Sequence, residues 1–319
     1  MENKIYGKIM QGVGGLYSVR ILSVPESGTS LPSVGETAAC RARGSFRHNN
    51  VSPLPGDTVL LAYTSEGNGA ESFVIDEICN RKNALIRPPM ANLDFIFITM
   101  SAASPTPILS TVDKLICIAE FNKIEPVIVI TKRELDEEYA RTLEEIYKKS
   151  GFNVFCLSAV EDIGVTPIDE FIKNELTNGK TAAFAGASGI GKSTLLNRLF
   201  PSLSLSTSEI SKKIQRGRHT TRKVELYPLG DSTECGYIAD TPGFSMLDFE
   251  RFDFFEKDDL PLTMREFSDY IGLCKYTKCS HTKEEGCAIV EAVKKGDIPA
   301  SRHESFCELY DVLKAKKKW

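Results

Sequence analysis

Residues 181–200 read TAAFAGASGIGKSTLLNRLF: a short apolar run, a glycine-rich turn, then a helix-forming run that opens on Lys-Ser-Thr. Gly186, Ala187, Ser188, Gly189, Ile190, Gly191, Lys192, Ser193 and Thr194 satisfy G-x-x-x-x-G-K-[ST] in the strand–turn–helix setting that gives the pattern its meaning. Glycines let successive backbone N–H groups turn toward one point, and the start of the helix adds partial positive charge there. The segment predicts a phosphate-binding loop, with Lys192 on the outer phosphates of a nucleotide and the Ser193 hydroxyl on Mg²⁺.

Such a loop needs a sheet. Between residues 92 and 247 the candidate strands are FIFITM (95–100), PVIVIT (126–131), NVFCLS (153–158), TAAFAG (181–186), KVELYPL (223–229) and GYIAD (236–240). Helical periodicity fills TVDKLICIAEFN, EYARTLEEIYKKSG and STLLNRLF between them. This alternation predicts a mostly parallel sheet with helices on both faces. The sixth strand runs into DTPGF, where Asp240 suits a water-mediated contact to Mg²⁺ and the Gly243 N–H a γ-phosphate. In KKIQRGRHTTRK, Thr220 or Thr221 is placed to close over the same ion.

The base-reading elements come first. PVIVIT ends in Thr131-Lys132-Arg133-Glu134, the place where a [NT]-K-x-D loop recognises guanine. There the carboxylate accepts from N1–H and the exocyclic amine, and the lysine packs on the base. Ser158-Ala159, after the next strand, offers backbone N–H to O6. The order base, base, phosphate, switch, switch describes a circular permutation, which changes connections and leaves packing intact. Thr131 stands where Asn is usual and keeps a hydroxyl. Glu134 stands for Asp and reaches one methylene further, while Asp136 is two residues out of register. Phe244 occupies the usual place of a water-orienting glutamine, so His219 joins Lys192 as the candidate catalytic residue. A histidine that only braces its own loop is the alternative.

Both flanks differ from this middle. Residues 1–78 carry short β-type runs (YSVRIL, ETAACRAR, DTVLLAY, SFVIDEI) broken by turn residues, which predicts a small OB-like barrel. Arg41, Arg43 and Arg47 surround Phe46, a combination suited to RNA phosphates and base stacking, or to a hairpin edge kept charged against aggregation. Beyond residue 248 the chain turns polar and helical around Cys274-x₄-Cys279-x-His281-x₅-Cys287. Three thiols and one imidazole at this spacing predict a closed, structural zinc site.

Charge and composition exclude other classes. The net charge of −4 rules out a general polycation, so nucleic acid contact depends on local patches. No apolar run suits a bilayer span, and MENKIYGKIM has no apolar core of a secretory signal. Cys40, Cys79, Cys117, Cys156 and Cys235 stand singly among apolar neighbours, the pattern of buried free thiols in a reducing compartment. A cytoplasmic protein without membrane contact is expected.

RPPMANLD (87–94), GASGIGKSTLLN, GRHTT, DTPGF, CKYTKCSHTKEEGCAI and SRHESF together resemble the permuted GTPases of the ribosome small subunit-dependent GTPase A family (RsgA/YjeQ), over nearly the whole chain. The resemblance implies a barrel (1–78), a permuted GTPase domain (79–247) and a zinc-binding helical module (248–319). It implies hydrolysis of GTP to GDP and phosphate, stimulated by the small (30S) ribosomal subunit and its 16S rRNA during late maturation, by a monomer. The competing reading is an rRNA-binding protein gated by nucleotide, with incidental hydrolysis. An ATPase would have no use for Lys132, Glu134 and Ser158-Ala159 together.

Overall fold

Among the described strands of the first 78 residues, side chains packed into one core recur at even spacing: Ile5 and Ile9, Val19 and Ile21, Val59 and Leu61. The computed structural model describes residues 4–25, 32–44, 46, 51–65, 71–201, 224–240 and 255–316. The opening strands are β1 (Ile5–Val13), β2 (Leu16–Ser23), β3 (Thr37–Ala42), β4 (Thr58–Ser65) and β5 (Glu71–Ile78). β1 pairs with β2, β2 with β3, β3 with β5, β5 with β4, and β4 returns to β1 through Ile5↔Leu61 to Lys8↔Thr58. The barrel is therefore closed. Ile5, Ile9, Val19, Ile21, Cys40, Val59, Leu61 and Ile75 fill it.

The chain continues as β6 (Ala84–Leu85), β7 (Met90–Ala91), β8 (Phe95–Ser101), α1 (Leu109–Phe121), β9 (Glu125–Thr131), α2 (Glu137–Lys149), β10 (Asn153–Cys156), α3 (Val165–Glu175) and β11 (Thr181–Ala185). Then follow α4 (Lys192–Leu199), β12 (Glu225–Pro228), β13 (Tyr237–Asp240), α5 (Ala288–Lys295) and α6 (Ala300–Ala315). The described parts of 1–94, 172–183 and 218–244 make one compact unit, and those of 95–171, 184–217 and 245–319 another.

In the first unit β13 pairs in parallel with β11 at Thr181↔Tyr237 to Ala183↔Ala239, and antiparallel with β12. Lys8 on β1 reaches out of the barrel, donating to Gly179 O at 2.7 Å and Thr181 Oγ1 at 2.9 Å with its ammonium over the Tyr237 ring. The Thr181 N–H in turn donates to Asp94 Oδ2 at 2.8 Å.

In the second unit β8, β9 and β10 run parallel, with Ser101↔Thr131 ending one ladder and Cys156↔Ile130 the other. All seven β8 residues are buried. A parallel strand covered on both faces reads as a continuous apolar run, which is why this part of the sequence shows little alternation. Asp136 caps α2, its carboxylate accepting the Tyr139 N–H at 2.9 Å. Phe171 of α3 packs edge-on to Phe95 and Phe97.

Three features differ from expectation. α3 was not foreseen, since Pro167 and the preceding Gly164 interrupt the pattern, yet proline is tolerated in a first helical turn. After short 3₁₀ turns at Leu260–Thr263 and Arg265–Phe267, residues 268–287 form turns, and helix resumes only at Ala288. Of the five single cysteines, Cys40 and Cys117 are buried, where desolvation pushes each thiol up to about 12, and the other three are half-buried. No helix among the described residues is long and apolar enough to cross a membrane.

Candidate functional site

β11 delivers the chain to Gly186 at φ +146°, where a Cβ would sit 2.4 Å from Thr99 O and 2.5 Å from Ile190 Cδ1. No side chain fits there. Gly191, at φ +90°, opens α4, so Lys192 begins the helix and Ser193 and Thr194 lie exposed on its first turn. Ile190 and Leu195 are buried and anchor the two ends of this bend. The Lys192 ammonium arches back to Gly186 O at 3.4 Å, over the loop whose backbone N–H groups would meet phosphate.

The base-reading segment lies against the same loop. Lys132, at φ +57°, donates from Nζ to Gly189 O at 2.8 Å and to Ser104 O at 2.6 Å. Thr131 Oγ1 contacts Ile190 O and, at 3.0 Å, Met100 O. Glu134 Oε2 is buried and has no hydrogen-bond partner. A buried carboxylate oxygen without a donor is costly, and the two N–H groups on a guanine edge are donors of the right kind. Asp136 is occupied as the cap of α2, which removes it as an alternative reader.

The companion loop is narrower in its choices than the sequence suggests. The Ser158 N–H donates to Ile163 O at 2.8 Å, and Ser158 Oγ accepts the Glu161 N–H at 3.1 Å. Ser158 shapes the loop, and Ala159 beside it is half-buried. The Arg133 N–H donates to Leu157 O, joining this loop to the Lys132 segment. Arg198 of α4 grips Asp162 through two of its nitrogens and holds that carboxyl below its ordinary value. Neither Asp162 nor Arg198 stands out in the sequence, because nothing local marks a pair 36 residues apart.

His219, Thr220, Thr221, Gly243 and Arg47 lie outside the described residues. Asp240 ends β13. On the barrel, Arg41 is exposed on β3, while Arg43 pairs with Asp76 at 2.8 Å. Phe46 is half-buried and packs against the barrel core.

Cys274, Cys279, His281 and Cys287 converge, with all four donor atoms within 4.8 Å of one another. Cys274 Sγ lies 3.8 Å from Cys287 Sγ and 3.5 Å from His281 Nδ1, and Cys287 Sγ is 3.7 Å from that nitrogen. A tetrahedral ion with bonds of ~2.3 Å to sulfur and ~2.0 Å to nitrogen has ligand–ligand edges of roughly 3.5–3.8 Å. The donor set fits zinc. Its surroundings hold it open: the Ala288 N–H points to Cys274 Sγ at 3.4 Å, and His303 donates from Nε2 to His281 O at 2.8 Å. Glu284 accepts the Ser280 hydroxyl and the Ser280 N–H. Burial opposes its charge, yet these donors and its own and the Lys283 N–H hold its carboxyl down at about 2.

Comparison with known proteins agrees with this geometry. A family model described as RsgA GTPase matches residues 78–250, and one described as RsgA N-terminal domain matches residues 6–70. A small ribosomal subunit biogenesis GTPase RsgA of Bacillus pumilus is 39% identical over 316 residues, covering 98% of this chain and 98% of the relative. One from Ruminiclostridium cellulolyticum is 37% identical over 308 residues, covering 97% and 93%. Among solved structures, YjeQ from Thermotoga maritima superposes with a TM-score of 0.75 at 29% identity, over 98% of this chain and all (100%) of that one. YloQ, described as a circularly permuted GTPase, gives 0.71 at 32% identity over 99% and 97%. With the phosphate loop downstream of both base-reading loops, the chain belongs to the RsgA GTPase family.

Proposed function

We propose that this GTPase hydrolyses GTP on the small (30S) ribosomal subunit, gripping 16S rRNA during a late step of maturation, as a cytoplasmic monomer. The relatives' name, small ribosomal subunit biogenesis GTPase, supports the choice of partner. In this reading the barrel (1–78) and the zinc module (248–319) flank a permuted GTPase domain (79–247), with exposed Arg41, together with Arg43 and Arg47, on the RNA side. The observation that carries the guanine reading is the unpartnered Glu134 Oε2 beside a lysine tied to the phosphate loop. Glu134 accepts from the base, Ala159 donates to O6, and Lys132 packs on the ring.

Gly186 to Thr194 bind the phosphates, and Lys192 neutralises charge as it develops on them. Mg²⁺ would be held by Ser193 and Asp240 with Thr220 or Thr221, and there would offset the charge of the phosphates. His219 orients the attacking water. Zinc would sit on Cys274, Cys279, His281 and Cys287, a set with no open position, and so would stabilise structure without entering the reaction.

The test is hydrolysis of GTP and ATP in parallel, with and without purified small subunits. GTP-selective turnover that rises with subunits supports the proposal. Equal use of both nucleotides would remove the base-reading assignment, and an unchanged rate with subunits would favour the binding protein gated by nucleotide.

A further inference from the structure

Lys8 is a buried cation with no carboxylate in contact among the described residues. It is 5% exposed, and its ammonium donates to two neutral oxygens, Gly179 O at 2.7 Å and Thr181 Oγ1 at 2.9 Å. An ammonium has three hydrogens and accepts nothing. The third is left with the face of the Tyr237 ring, whose centre lies 4.4 Å away and which is a weaker partner than a counter-ion. Asp94, whose charge favours the ammonium, is itself engaged by Lys82 and by the Thr181 N–H. Charges at this depth are ordinarily paired.

Lys8 and Tyr237 are the buried members of the wall of a cavity of about 750 Å³ inside the first compact unit. Asn80, Lys82 and Asn178 line it as well and are exposed, so they stand at its mouth. The cavity meets the end of β11 that is remote from the phosphate loop: Thr181 begins the strand, and Gly186 follows its last residue.

We propose that this cavity binds a small phosphate monoester, its terminal phosphate on Lys8 and its body among the amides of Asn80 and Asn178. An ammonium is a point charge that phosphate meets from any side, whereas a carboxylate is best matched by the planar fork of arginine. A monoester keeps its free oxygens together at one end. A phosphodiester inside a nucleic acid chain carries a substituent on either side, and cannot lower its charge onto a lysine so deep. Glu234, exposed on the same wall, further disfavours a string of phosphates. The volume is that of an ordinary small-molecule pocket, with room for a polar body beyond the phosphate.

The test is titration with inorganic phosphate of the full chain loaded with Mg²⁺ and a non-hydrolysable GTP analogue, which fills the phosphate positions at Gly186 to Thr194. Amide NMR shifts of Gly179 and Tyr237 report the cavity. They are expected to saturate with phosphate and to show no saturation with chloride at matched ionic strength. Loss of a charge-assisted contact predicts affinity at least tenfold weaker in Lys8→Met. Asn178→Asp leaves Lys8 in place, adds a negative charge at the mouth, and should weaken binding by roughly threefold or more, which keeps the test open if Lys8→Met does not fold. Phosphate shifts that never saturate, or wild-type affinity in either variant, overturn the site. Acetate binding as tightly as phosphate overturns the assignment of the ligand as a phosphate monoester.

Discussion

Arg302 on α6 donates from Nη1 to Asp113 Oδ1 on α1 at 2.5 Å, with the two side chains 0% and 1% exposed. Its Nε reaches Glu266 Oε1 at 2.6 Å, and Tyr147 donates its hydroxyl to Asp113 at 3.0 Å. One guanidinium thus serves two buried carboxylates from different segments. Charges so deep are tolerated only when paired.

Removing the shared cation should therefore be worse than removing all three charges. Arg302→Met is expected to cost ~3–5 kcal/mol in urea unfolding, because it strands Asp113 and Glu266. Adding Asp113→Asn and Glu266→Gln to it should recover most of that loss. A single Arg302→Met variant within ~1 kcal/mol of wild type would show that the carboxylates find other partners or a proton without penalty.

Gly186→Ala should fold and fail to bind. The added methyl would meet Thr99 O at 2.4 Å, so the loop must move off β8. A displacement near 1 Å in such a cradle costs on the order of a hundredfold in binding or rate. Equilibrium binding of GDP, with circular dichroism as the control for folding, measures it. Unchanged affinity would mean the loop has room that its backbone does not show.

Metal removal should be local. A chelator, or Cys279→Ser, is expected to release one zinc per chain and to unprotect residues 274–287 in hydrogen exchange, because binding energy is folding energy in so small a segment. Nucleotide affinity should change by less than about twofold, since β8, β9 and β10 have an apolar core of their own. Loss of protection spreading through α1 would show that the module and the nucleotide site unfold as one.

Lys8 supplies a pH signature. Burial lowers its ammonium from the ordinary 10.5 to about 8, with Asp94 opposing and Lys82 adding to the shift. Below pH 8 both folded and unfolded chains hold this proton, and the folded state carries the cost of the buried charge. Between pH 8 and 10.5 the unfolded chain holds more protons, so this group makes the protein more stable as pH rises, by about 3 kcal/mol at most. Denaturation of wild type minus Lys8→Met across that window should show the rising limb, and a flat difference would contradict it.

Much of the site was legible because its chemistry is local. Gly186 to Thr194 constrain one another within nine positions, and Cys274 to Cys287 converge within fourteen, so spacing alone conveys geometry. Glu134 and Thr131 could be placed by register on a strand end. What spacing cannot convey is a partner far along the chain. Nothing beside Arg302 in SRHESF announces that it is wholly buried, with Asp113 and Glu266 as its partners. Phe46 reads as an exposed aromatic among arginines, and only the barrel core shows where it turns. Thr131 reads as a stand-in for asparagine that keeps a hydroxyl; the carbonyls it meets belong to segments 31 and 59 residues away.

The return of β4 to β1 has a consequence for how the amino-terminal part can meet another molecule. Each of β1 to β5 has a strand on both sides, and β12 pairs with the end of β1 that β4 leaves, at Gln11↔Glu225, so little of the ring is a bare rim. A partner strand therefore finds little open edge here, and a second copy little rim to template on. Recognition has to pass through side chains and connecting loops, and a phosphate backbone, which offers acceptors to arginines and asks nothing of a sheet edge, is the kind of surface that suits such a ring.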